Sequence, residues 1–201
     1  MKRVYFDTET SGFKPGNIGQ LSAIIEEDGN ISTYNKYFKL DFITDDAAES
    51  THRDLEFYEK ASGGKTFKDY KDEILNIFSN ATIIAHNVKF DMNFLSTELW
   101  RQDIIFKPLD TFDTMGYFKD KCKLPMARGN GFKNPKLSDV VNLFNIDEVK
   151  INKYAKQLFN ITDELSYHDA MYDTTAMFVC VKIESDNLNG TDYFKKVFTR
   201  V

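Results

Sequence analysis

Hydrophobic positions along the chain change period several times, and each change predicts an element. Lys2 to Phe6 is a short apolar run that stops at Asp7, which reads as a buried strand with a carboxylate at its end. Gln20 to Glu26 and Ile31 to Phe38 predict two further strands. Asp28-Gly29-Asn30 between them predicts a hairpin turn, because Gly and Asn tolerate positive φ. Thr66, with Asp69 three residues on, predicts a helix N-cap, and Phe67, Tyr70, Ile74, Leu75 and Phe78 follow at helical spacing. Ala81 to Ala85 predicts a short strand, Phe90 to Trp100 a helix and Ile104 to Leu109 another strand. Leu137, Val140, Val141 and Phe144 make a helical face, and Ala170 to Ile183 predicts a last long helix. Met126 to Pro135, with Gly129, Gly131 and Pro135, reads as a loop. Three strands followed by alternating helices and strands predict an α/β fold, a mixed sheet flanked by helices.

Composition narrows the classes. The chain of 201 residues carries 26 basic and 31 acidic side chains, a net charge of −5, which argues against coating nucleic acid by charge alone. Acidity does not exclude an enzyme that holds phosphates through metal ions, since such a site needs clustered carboxylates. No apolar run is long enough to span a membrane, and Asp7 interrupts any signal-like segment, so a cytoplasmic protein with no membrane partner is expected. Cys122 and Cys180 match no zinc or redox spacing and are expected to be reduced thiols. A single domain over 1–201 is expected, with 184–201 as a C-terminal extension.

Four segments carry candidate chemistry. In Asp7-Thr8-Glu9, residues i and i+2 of a strand share a face, so both carboxylates project together. Two carboxylates so close stay ionised only beside a cation, of which a divalent metal is the simplest; a solvated strand end is the plainer reading. In Ala85-His86-Asn87-Val88-Lys89-Phe90-Asp91, Asp91 falls near a helix N-terminus, where a negative charge is favoured for any role. In Tyr167-His168-Asp169-Ala170-Met171-Tyr172-Asp173, five residues do not share a helical face. His168 and Asp173 therefore converge only if His168 sits on the entering loop. Gly12, after Thr10 and Ser11, suggests a tight turn whose backbone N–H groups meet a phosphate, and Phe13 either stacks on a base or joins the core.

Taken in order, Asp7-Thr8-Glu9-Thr10-Ser11-Gly12-Phe13, then His86-Asn87-Val88-Lys89-Phe90-Asp91, then His168-Asp169-Ala170-Met171-Tyr172-Asp173 resemble the three motifs of the DEDDh branch of the DnaQ-like 3′–5′ exonucleases. The motif His-x-x-x-x-Asp fits the histidine branch, since Asp169 occupies the slot where the tyrosine branch has its Tyr. The resemblance implies a ribonuclease H-like sheet, three antiparallel strands and then parallel ones. It implies two divalent ions, Mg²⁺ with Mn²⁺ as substitute, held by Asp7, Glu9, Asp91 and Asp173, with His168 as general base. It places Thr8, Thr10, Gly12, Phe13, His86, Asn87 and Phe90 against the substrate, and Lys89, Arg128, Lys133 and Lys136 are candidate phosphate contacts. The expected partner is single-stranded nucleic acid, DNA favoured over RNA, with a DNA polymerase or replisome as a further partner and proofreading as the role. An exoribonuclease of the oligoribonuclease or ribonuclease T kind is the alternative, as is a non-catalytic binding module, against which the presence of all five chemical positions speaks. There are three departures from the family: Glu59 to Lys65 lacks the proline usual before the first helix, Pro125 to Pro135 is an elaborated loop, and a long polymerase-binding tail is not expected beyond Ile183, which concerns the partner rather than the chemistry.

Overall fold

The computed structural model describes residues 1–13 and 16–187. The expected extension therefore falls largely outside the described residues. Five strands form one mixed sheet: β1 (Lys2–Thr10), β2 (Ile18–Glu27), β3 (Asn30–Tyr37), β4 (Ala81–Ala85) and β5 (Asp110–Asp113), in the order β3-β2-β1-β4-β5. β1 to β3 are antiparallel, while β4 and β5 run parallel to β1, as the α/β expectation requires. The β2–β3 turn has two residues, and its positive φ angles fall on Asp28 and Gly29, not on Asn30, which already begins β3.

Helices cover both faces. On one side lie a short 3₁₀ turn (Phe67–Tyr70), α3 (Lys71–Phe78) and α4 (Val88–Trp100); on the other lie α5 (Thr114–Cys122), α6 (Leu137–Leu143), α7 (Glu148–Phe159) and α8 (Ala170–Asn187). Strand alternation divides the core accordingly. Val4 and Phe6 pack on the α3/α4 side, Phe6 meeting Phe78 edge-on at 4.9 Å, while Tyr5 packs on the α8 side against Phe178 at 4.9 Å. Each such fully buried large side chain contributes about 1.5–3 kcal/mol from removal of apolar surface from water. Helix α8 is buried nearly all round because the sheet lies on one side and α6 and α7 on the other.

Two helices not expected from periodicity, α1 (Asp45–Thr51) and α2 (Leu55–Ser62), precede the Thr66 cap. They are short and begin at caps, Thr44 and Asp54, rather than at an apolar stripe. The Thr66–Asp69 capping box forms as expected. The strand expected over 104–109 lies later, at β5, because Pro108 has no N–H for the ladder; pairing with β4 begins at Leu109, whose N–H donates to the Ala81 carbonyl at 3.2 Å. Cys122 is half-buried, Cys180 is buried and both are free thiols. Among the described residues no helix is long and apolar enough to cross a membrane.

Candidate active site

The site forms where β1 runs past its neighbours. The two-residue alternation that sends Tyr5 to the α8 side sends Asp7 and Glu9 there as well, and it sends Thr8 to the α4 side. Thr8 captures Asp91 from the first turn of α4: Asp91 Oδ1 accepts from the Thr8 backbone N–H at 3.1 Å and from its hydroxyl at 2.8 Å. From the other side α8 delivers Asp173. His168 lies on the loop entering α8 with φ 67°, and this left-handed residue closes the five-residue gap. Its backbone N–H donates to Asp173 Oδ2 at 3.1 Å. Asp173 Oδ1 is buried with no hydrogen-bond partner in the protein. Donor atoms of Glu9, His168 and Asp173 all lie within 4.8 Å of one another.

Burial and mutual repulsion set the electrostatics. The Asp7 carboxyl is raised well above its ordinary value, first by burial and then by the charges of Asp91, Asp173 and Glu9. Burial raises Asp173 likewise, with Glu9 the next cause. Glu9 is pushed up to about 7 by burial, although Arg53 pulls it the other way. Asp91 is also pushed up to about 7 by burial, despite the two bonds from Thr8. Four acids thus share a volume whose nearest guanidinium, Arg53, is engaged elsewhere. Arg53 forms a buried ion pair with Asp169 and donates to Gln20 Oε1 at 2.7 Å. Asp169 also accepts from Gln20 Nε2 at 3.3 Å and from the Met171 N–H at 2.8 Å. This lattice fixes the residue next to His168. The cluster fits divalent cations: oxygen donors, one of them buried and unpartnered, in a pocket with a deficit of positive charge.

Asp7, Glu9 and Asp173 open onto a cleft of about 310 Å³, with Asp91 buried and outside its lining, and His168 is exposed at its edge. Thr8, Thr10, Gly12, Phe13 and Phe90 line it, as do Asp7, Glu9 and Asp173. Phe13 is 76 % exposed and stands edge-on to Phe90, ring centroids 6.1 Å apart, so it is a projecting ring and not a core residue. Gly12 has φ 145°, and a Cβ there would lie 2.7 Å from Thr44 Cγ2, so the turn needs glycine. Behind this turn, buried Glu98 of α4 accepts from Asn17 Nδ2 (3.0 Å), the Ile18 N–H (3.2 Å) and Arg101 (3.1 Å), and Ser11 and Asn17 exchange bonds.

Two expected substrate residues do not reach the cleft. His86 turns inward, Nε2 to the Pro135 carbonyl at 3.0 Å and Nδ1 to the Thr114 hydroxyl at 3.0 Å. A carbonyl only accepts, so Nε2 carries the proton, while the one proton of the Thr114 hydroxyl lies between Nδ1 and the Ala85 carbonyl, 3.2 Å away; burial lowers the ring's pKa and favours the neutral form. Asn87 begins α4 in the left-handed region, and its N–H donates to Asp113 at 2.9 Å. The α1 wall of the cleft, with Thr44, Asp46 and Ser50, was not expected. Its one sequence signal is the Thr44 cap.

Residues 4–178 match the family described as Exonuclease (RNase_T). The chain is 24 % identical over 203 residues to DNA polymerase III PolC-type of Mycoplasmopsis pulmonis, covering 96 % of this chain and 12 % of that protein. It is 34 % identical over 53 residues to the 3′-5′ exonuclease DinG of Staphylococcus epidermidis, covering 26 % of this chain and 6 % of the relative. The chain thus spans a small fraction of the curated relatives it matches. E. coli Exonuclease I in complex with a dA16 oligonucleotide has a similar fold, with a TM-score of 0.68 at 17 % identity over 92 % of this chain and 41 % of that one.

Proposed function

The chain belongs to the exonuclease family, and from that premise we propose that it is a metal-dependent 3′–5′ exonuclease that hydrolyses single-stranded DNA to nucleoside 5′-monophosphates. The observation that carries the reading is the convergence of Asp7, Glu9, Asp91 and Asp173 beside exposed His168, on a cleft with a projecting aromatic ring. Asp7, Glu9, Asp91 and Asp173 would hold two divalent ions, Mg²⁺ or Mn²⁺. When bound, such ions supply Lewis-acid stabilisation of the attacking and leaving oxygens of the phosphodiester. A ring nitrogen of His168 takes the proton of the attacking water, and its exposure lets it pass that proton to solvent. Phe13 and Phe90 pack the terminal base, and the turn at Thr10 to Gly12 brings backbone close to the sugar and phosphate. The polymerase context of one relative makes a replisome partner and a proofreading role part of this reading.

The test is digestion of 3′-labelled and 5′-labelled single strands of DNA and of RNA, with Mg²⁺, with Mn²⁺ and with chelator. The expected result is metal-dependent release of the 3′-labelled mononucleotide and a ladder from the 5′-labelled DNA. Faster degradation of RNA would replace the substrate, and binding without cleavage under either metal would replace the enzyme by a binding module.

A further inference from the structure

Charge is distributed unevenly along this acidic chain. Between Lys121 and Ser138 there are five basic residues and no acidic one. The whole chain carries −5, so removing this +5 leaves −10 on the rest. Lys121 is neutralised by Glu184 at 2.7 Å. Lys123, Arg128, Lys133 and Lys136 are exposed, and among the described residues none of the four forms an ion pair.

The segment is built, not loose. Pro125 and Phe132 face each other as an antiparallel bridge. The Met126 N–H donates to the Gly131 carbonyl at 3.3 Å and the Lys133 N–H to the Leu124 carbonyl at 2.9 Å. Gly129 and Gly131, at φ 83° and 124°, turn the tip. The result is a small hairpin with Arg128 near the tip, Lys123 and Lys133 at the base, and Lys136 where the chain enters α6. Its foot is the Pro135 carbonyl, held by the Nε2–H of buried His86. His86 directly follows β4 and precedes the helix that carries Asp91. Since β4 runs parallel to β1, the foot stands at the end of the sheet from which β1 delivers Asp7 and Glu9. No residue of the hairpin lines the cleft.

We propose that the hairpin 123–136 is a track for the sugar-phosphate backbone of a single strand, upstream of the nucleotide that occupies the cleft. A polyanion leaving an acidic cleft meets repulsion over most of this protein, and unpaired cations spaced along a narrow projection beside the cleft offer a favourable exit. The direction of the strand rests on the nuclease reading of the cleft; the binding itself does not.

The test is the salt dependence of binding of a fluorescent single-stranded DNA, followed by anisotropy in the presence of chelator. The quadruple variant K123Q/R128Q/K133Q/K136Q is compared with wild type, and R128Q alone serves as the second variant because the tip supports no other element. The quadruple variant is expected to lower the slope of log Kd against log salt by about 2 to 3, at about 0.7 per lost phosphate contact, and R128Q by about 0.7. Wild type is expected to bind a long strand more tightly than a dinucleotide, and the quadruple variant to lose that length dependence. An unchanged slope overturns the proposal. So does an equal loss on the dinucleotide, which would place these residues in the cleft. Strand binding at the wild-type slope, with loss of binding to polyglutamate, would assign the hairpin to an acidic protein instead. Because the readout needs no cleavage, the two readings fail separately: a steep slope without hydrolysis under any metal removes the nuclease and keeps the track, while hydrolysis with an unchanged slope does the reverse.

Discussion

Packing four carboxylates together makes the stability of the metal-free protein fall as pH rises through the neutral range. Glu9 and Asp91 each titrate near 7 in the fold, against ordinary values of 4.5 and 3.8. A raised folded value means that the native state keeps protons, between about pH 4 and 7, that the unfolded chain has released. Stability then has a negative slope with pH across that window. Taken alone, each group represents about 3–4 kcal/mol of ionisation cost at pH 8. Only about 1.5 pH units of that window lie above about pH 5.5, about 2 kcal/mol per group, and since protonating one relieves the other the pair together changes by at most about 4 kcal/mol between about pH 5.5 and about pH 8. For a chain of this size 1 kcal/mol moves Tm by roughly 2–4 °C, so the shift is on the order of 10 °C. The assay is thermal unfolding followed by near-ultraviolet circular dichroism in chelator, at about pH 5.5 and about pH 8, a range in which paired carboxylates such as Glu26, held low by Lys182 and Arg3, stay ionised. Tm is expected to be higher at the lower pH, and Mn²⁺ added at pH 8 is expected to recover most of the difference. D173N removes one charge from the cluster and is expected to raise the metal-free Tm at pH 8. A metal-free Tm that is flat or rises from pH 5.5 to 8 would refute the electrostatic account of the site.

Asp7→Ala is expected to reduce metal-dependent cleavage below detection while the far-ultraviolet circular dichroism stays that of wild type; retained cleavage on the labelled-strand gel would remove Asp7 from the centre. His168→Ala is expected to lower kcat by about 10²–10⁴. The metal concentration at half-maximal rate should move little, so a metal titration of the variant separates proton transfer from metal holding. Arg53→Ala leaves Asp169 buried without its guanidinium and is expected to cost about 3–5 kcal/mol by urea unfolding, with Arg53→Lys recovering part of it.

What the sequence made legible is what repeats locally. The i, i+2 rule placed Asp7 and Glu9 on one face, the helical reading of 170–183 placed Asp173 on the last helix, and the Thr66–Asp69 box marked its cap at the right residue. Elements set by caps or by absent donors were harder. Helices α1 and α2 have seven and eight residues and no apolar stripe to announce them, and Pro108 pushed β5 past the apolar run that suggested a strand. The deepest misses are long-range pairs. Arg53 and Asp169 are 116 positions apart and Glu98 and Asn17 81 apart, and no local pattern connects them. Yet these pairs hold the parts of the site that motifs describe as free-standing: Asp169 fixes the turn that presents His168, and Glu98 clips the base of the turn that presents Phe13. His86 makes the same point from the other direction. Its place in a motif suggests a substrate contact, but both ring nitrogens are spent inside the fold, one of them on the foot of the basic hairpin. A motif residue two positions from the start of α4 therefore holds a neighbouring segment in place, and only the hydrogen-bond accounting of a buried imidazole separates that structural role from an open side chain.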